Sequence, residues 1–66
     1  MTRYIHIKRN VVDYEHDGDI QAEISECLCI CDKIINIEQH TYRDYEYGMK
    51  AFIEFDCPEE FSHLFN

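Results

Sequence analysis

The stretch Asp19-Ile20-Gln21-Ala22-Glu23-Ile24-Ser25-Glu26-Cys27-Leu28-Cys29-Ile30-Cys31-Asp32-Lys33 decides the fold. Its apolar residues Ile20, Ile24, Cys27, Leu28 and Cys31 recur at spacings of four, three, one and three. At ~100° per residue these, with Ile30, Ile34 and Ile35, fill an arc of roughly 160°. Gln21, Ala22, Ser25, Glu26, Cys29, Asp32 and Lys33 take the other side, with Glu23 at the edge. The segment 19–33 is predicted to be an amphipathic helix with a wide buried face. Asp17 or Asp19 is expected to cap it, and acid near its start suits the helix dipole.

On the N-terminal side, residues 2–12 alternate. Ile5 and Ile7 fall on one side; Tyr4, His6 and Lys8 fall on the other. A period of two with β-branched residues predicts a strand with one buried face. Arg3, Lys8 and Arg9 make this the one locally basic region. Residues 13–19 are expected to form a turn, with Gly18 supplying a positive φ.

On the C-terminal side, two strands are predicted. The first runs from about Ile35 to Arg43; the second is Lys50-Ala51-Phe52-Ile53-Glu54-Phe55, with Ala51, Ile53 and Phe55 inward. Between them lies the aromatic, acidic turn Asp44-Tyr45-Glu46-Tyr47-Gly48-Met49. Residues 56–65 are expected to form a short helix, capped by Asp56 or Cys57, with Pro58 in its first turn. Phe61, Leu64 and Phe65 give it an apolar side.

The order strand, helix, strand, strand, helix predicts an α+β fold. A strand–helix–strand unit wants its two strands parallel, adjacent or separated by a third. The natural packing is a three-stranded sheet with the long helix across one face and a short C-terminal helix. This topology resembles a ferredoxin-like fold lacking its last strand. Residues 1–66 are read as one small domain.

The chain has 66 residues, 14 acidic and 6 basic side chains, and a formal charge of -8. Apolar residues make up 45% and aromatics 14%, which excludes a disordered acidic tail. No apolar run approaches the ~20 residues of a membrane span. The first residues read as strand rather than as a basic-then-apolar leader, so a cytoplasmic location is expected. A domain this short buries only ~60% of its unfolded surface, which favours added support such as a partner subunit. The surplus acid repels nucleic acid and anionic membranes and attracts basic surfaces.

The acidic turn resembles the start of an EF-hand calcium loop. Asp13, Glu15 and Asp17 present oxygens at positions one, three and five, Gly18 stands at six and Ile20 at eight. Position twelve needs a bidentate carboxylate and is Ile24, so the strongest ligand is missing. A polar turn with helix-capping acids accounts for the same residues. Cys27, Cys29 and Cys31, with Cys57, invite a zinc reading. On a helix Cys27 and Cys31 share a face and Cys29 points away, so core packing with one exposed thiol explains them better. All four are read as reduced thiols.

His6, His16, His40 and His63 are scattered along the chain and read as surface residues. Ser25 and Ser62 lack a glycine elbow, and no phosphate-cradling loop is present. No catalytic residues, cofactor or metal are therefore assigned. The remaining signal is Tyr42, Tyr45 and Tyr47, interleaved with Asp44 and Glu46. Tyrosine supplies contact area at low entropic cost and is enriched at interfaces. The same rings could instead cover an open sheet face.

The favoured expectation is a non-enzymatic inhibitor that occupies a basic, nucleic-acid-binding surface of a larger protein. Carboxylates would stand in for phosphates. In size and charge the chain looks like the small phage-encoded inhibitors of host defence, including anti-CRISPR proteins. The expected contact residues are Asp13, Glu15, Asp17 and Asp19 as one patch, and Asp44, Tyr45, Glu46 and Tyr47 as another. Two other readings stand beside it. One is a metal-binding module using the turn 13–19 or the cysteine cluster. The other is a homodimer or larger oligomer formed through an exposed sheet edge.

Overall fold

The computed structural model describes residues 1–65. Its elements are strand β1 (Tyr4–Asn10), helix α1 (Asp17–Ile30), strands β2 (Ile35–Asp44) and β3 (Gly48–Pro58), and a 3-10 helix (Glu59–Phe65). The three strands form one antiparallel sheet in the order β1-β3-β2. The α+β class and the β-α-β-β-helix order are therefore as expected, with β1 and β2 separated by the third strand.

The core lies between α1 and one face of the sheet. Ile20 and Cys27 of α1, Ala51, Ile53, Phe55 and Cys57 of β3, and Val11, Cys31 and Ile34 beside them are buried. Ile7, Ile24, Ile37, Phe61 and Phe65 pack around them. Alternation along β3 explains this: its odd-numbered residues face the helix, and its even-numbered ones face away. The central strand is covered on both edges, which is why the most apolar strand occupies that place.

Several local expectations are corrected. The helix spans 17–30, not 19–33. Its N-cap is His16, whose Nδ1 accepts the Gly18 N–H at 3.1 Å, in place of Asp17 or Asp19. Asp19 instead completes a capping box, accepting the N–H groups of Glu15 and His16 at 2.8 and 3.1 Å. Gly18 does not supply a positive φ; the left-handed residue of this loop is Asp13, φ 58°. A Cβ at Gly18 would meet the His16 ring at 2.8 Å, so the glycine is needed for that close approach. At the other end Cys31 leaves helical geometry, and the polar pair Asp32-Lys33 turns the chain into β2.

The buried face of α1 is narrower than the predicted arc. Leu28 is exposed, and Ile35 is an exposed strand residue. β3 is longer than predicted and runs through Pro58, which ends the strand instead of opening an α-helix; the expected C-terminal helix is a 3-10 helix. β1 is shorter than residues 2–12.

The β2–β3 hairpin extends past β1, whose pairing ends at Asn10 opposite Phe52. From there Thr41–Asp44 pairs only with Gly48–Ala51. The molecule measures 42 × 19 × 19 Å. Its hairpin turn is closed by Gly48 at φ 82°, a conformation that favours glycine.

Candidate functional site

The loop between β1 and α1 leaves the sheet beside Ala51, where Val11 N–H donates to the Ala51 carbonyl at 2.9 Å. The hairpin turn lies beyond that same end. Topology therefore brings both predicted acidic sets, 13–19 and 44–47, to one end of the sheet. The remaining carboxylates are spread along the rest of the chain.

Within that end the predicted residues divide by what they do. Asp19 is half-buried and committed to the capping box; the two backbone N–H groups it accepts hold its carboxyl below the usual range. Asp17 accepts the Tyr14 hydroxyl at 3.2 Å. Desolvation, then that bond, pushes the Tyr14 phenol up. Asp44 Oδ1 accepts the N–H groups of Glu46 and Tyr47 at 2.8 and 3.2 Å, forming the turn. These three acids build the scaffold. Asp13, Glu15 and Glu46 are exposed, and their side chains make no hydrogen bond or ion pair among the described residues. Tyr45 is 100% exposed and covers none of the open sheet face, whereas Tyr47, 70% exposed, has the Lys50 ammonium of that face 5.3 Å from its ring centroid. Tyr42 does turn towards that face, with its ring centroid 6.0 Å from that of Phe52.

The basic groups in and just before β1 are engaged elsewhere. Arg9 Nε lies 3.1 Å from Glu23 of α1, Arg3 Nε lies 3.8 Å from Glu59, and Lys8 Nζ sits 4.2 Å from the Phe52 centroid. Comparison with protein-family models, with curated proteins and with solved structures finds no match. The reading of the site thus rests on its own geometry.

The calcium-loop resemblance does not survive as geometry. Of its three acids Asp17 is taken up by the Tyr14 hydroxyl, and Ile24 packs against the core at the twelfth position. Nor do three cysteines meet among the described residues, although Cys57 is within thiol hydrogen-bonding reach of Cys31. Cys27, Cys31 and Cys57 are buried and Cys29 is exposed; all four are free. Burial pushes the Cys27 and Cys57 thiols up. Cys29 borders a groove of about 310 Å³ of mixed character, lined by Leu28, Ile30, Phe61 and Leu64 together with Asp32 and Lys33.

A second constellation escaped the sequence reading. His6 and His40, expected to be scattered, stand on the helix-free face of the sheet with Glu38, Glu54 and Asp56. His6 Nδ1 lies 2.9 Å from Asp56 Oδ1, and its Nε2 lies 3.6 Å from Glu54 Oε1. His40 Nε2 lies 3.4 Å from Glu54 Oε2 and 3.7 Å from Glu38 Oε2. Asn36 Nδ2 donates to Asp56 Oδ2 at 2.9 Å. These side chains form one row across three strands. The available signal was strand phase: 6, 38, 40, 54 and 56 are the even-numbered polar residues of their strands. The polar phases must share the face that the helix leaves open.

Proposed function

We propose that the protein is a non-enzymatic binding module whose acidic, tyrosine-tipped end docks on a basic, nucleic-acid-binding surface of a larger protein. The observation that supports this reading is the exposure of Asp13, Glu15, Glu46, Tyr45 and Tyr47 on two segments that leave the sheet towards the same end. The rings offer apolar contact area on a turn braced by Asp44. The carboxylates offer charge that steers encounter and that salt screens. Occupying such a surface excludes nucleic acid, so the activity is inhibition. The small, acidic profile suits an anti-defence protein acting in a host-cell cytoplasm. No helix among the described residues is long and apolar enough to cross a membrane.

The test is capture of partners on the immobilised protein, eluted with rising salt, with three baits compared. These are the native chain, Tyr45→Ala with Tyr47→Ala, and Asp13→Asn with Glu15→Gln and Glu46→Gln. A basic nucleic-acid-binding protein is expected on the native bait and depleted on both variants, and added nucleic acid is expected to displace it. Equal capture and equal salt dependence on all three baits would overturn the proposal.

A further inference from the structure

We propose that Glu38, His40 and Glu54 form a binding site for one first-row divalent cation, zinc foremost, on the helix-free face of the sheet. This site lies apart from the hairpin tip and stands independently of the docking proposal.

One ligand atom from each of the three residues lies within 4.8 Å of the others. The His40 Nε2 separations from the two carboxylates, 3.4 and 3.7 Å, are too long for charge-assisted hydrogen bonds, which run about 2.7–2.9 Å. They are close to the edge of a coordination tetrahedron, about 3.3 Å for metal–ligand bonds of about 2.0–2.1 Å. His40 Nε2 is moreover a buried nitrogen with no hydrogen-bond partner among the described residues. Such an atom is costly unless something else fills its lone pair.

The backbone supplies an independent argument. Glu38 and Glu54 stand directly opposite each other across the β2–β3 ladder. Like charges in that position repel, and a cation between them converts the repulsion into attraction. The site is also held in place. The His40 imidazole stacks on Phe52 with centroids 4.8 Å apart. The other oxygen of Glu54 faces His6 Nε2 at 3.6 Å, and His6 is in turn bonded to Asp56, whose second oxygen accepts from Asn36. This is the outer layer that orients metal-ligating carboxylates.

The donor set selects the ion. One imidazole nitrogen with two carboxylates suits zinc and its first-row neighbours. Calcium takes six to eight oxygens, which this face does not provide. Three protein ligands leave one position for water.

The experiment titrates chelator-washed, reduced full-length protein with zinc by calorimetry and follows the histidine side-chain nitrogens by NMR. One equivalent is expected to bind, with the largest shift at His40 Nε2. His40→Gln and Glu38→Gln are each expected to weaken binding at least about tenfold. Cys29→Ser is expected to leave it unchanged. The Glu38 side chain is 64% exposed, so Glu38→Gln keeps the fold and decides the matter even if His40→Gln unfolds. Absence of saturable binding, unchanged affinity in Glu38→Gln, or loss of binding in Cys29→Ser would each overturn the assignment.

Discussion

His6 of β1 and Asp56 of β3 are direct cross-strand partners, joined Nδ1 to Oδ1 at 2.9 Å. The bond to Asp56 holds the His6 imidazole above its ordinary 6.5, aided by the nearby Glu54 and Glu38 carboxylates. Asn36, then His6, holds the Asp56 carboxyl below its ordinary 3.8. A histidine raised in the folded state contributes stability that is complete below 6.5 and fades as pH climbs through the raised value. A depressed aspartate contributes stability above 3.8 that fades as pH drops through the lowered value. Both contributions coexist between 3.8 and 6.5. His6→Gln is therefore expected to lower Tm most inside that window, with the difference from the native chain shrinking as pH climbs through the raised His6 value. Thermal melts across this range check it; a pH-independent difference would contradict the linkage.

The Asp19 carboxylate satisfies two backbone N–H groups that the start of α1 would otherwise leave unpaired. Asp19→Ala is expected to lower Tm by roughly several degrees, as for a lost cap in a chain of this size. Asp19→Asn, which keeps an acceptor oxygen, is expected to lose less. Glu15→Gln, at an exposed side chain of the same loop, is expected to leave Tm unchanged. Circular dichroism melts of the three variants separate a capping role from a general charge effect.

The four free cysteines differ in exposure, and their reactivity is expected to follow. One thiol, Cys29, should react rapidly with a disulfide reagent in the native protein, and the other three only after unfolding. Cys27 is fully buried. Cys27→Ser places a hydroxyl in that apolar site, at a cost of about 1–3 kcal/mol. Cys29→Ser is expected to stay within about 0.5 kcal/mol of the native chain. Urea denaturation and timed thiol titration measure both.

The elements were legible in the sequence because each carries its own period. Ile20, Ile24 and Cys27 follow the helix, and Ala51, Ile53 and Phe55 follow the strand. The acids of 13–19 and 44–47 were legible as polar turns, but not their division of labour. Which carboxylate binds a backbone N–H depends on a cap geometry that placed His16, not an aspartate, at the helix start. The histidine row was hidden for a different reason. His6, Glu38 and Glu54 meet only through strand pairing, and pairing depends on register. Leu28 was misjudged because helical phase alone does not say how far the sheet reaches beneath a helix.

Asn36 interrupts that register. Between Ile35, opposite Asp56, and Glu38, opposite Glu54, β2 spends one more residue than β3. Asn36, at φ 57°, absorbs the surplus in a conformation that asparagine tolerates better than most residues. Removing it would regularise the ladder: Ile37 would stand opposite Phe55 on the helix side, and Glu38 would stay opposite Glu54. What would go is the Asn36 amide's bond to Asp56, so the kink serves the histidine row through one side chain and leaves the rest of β2 indifferent to its loss.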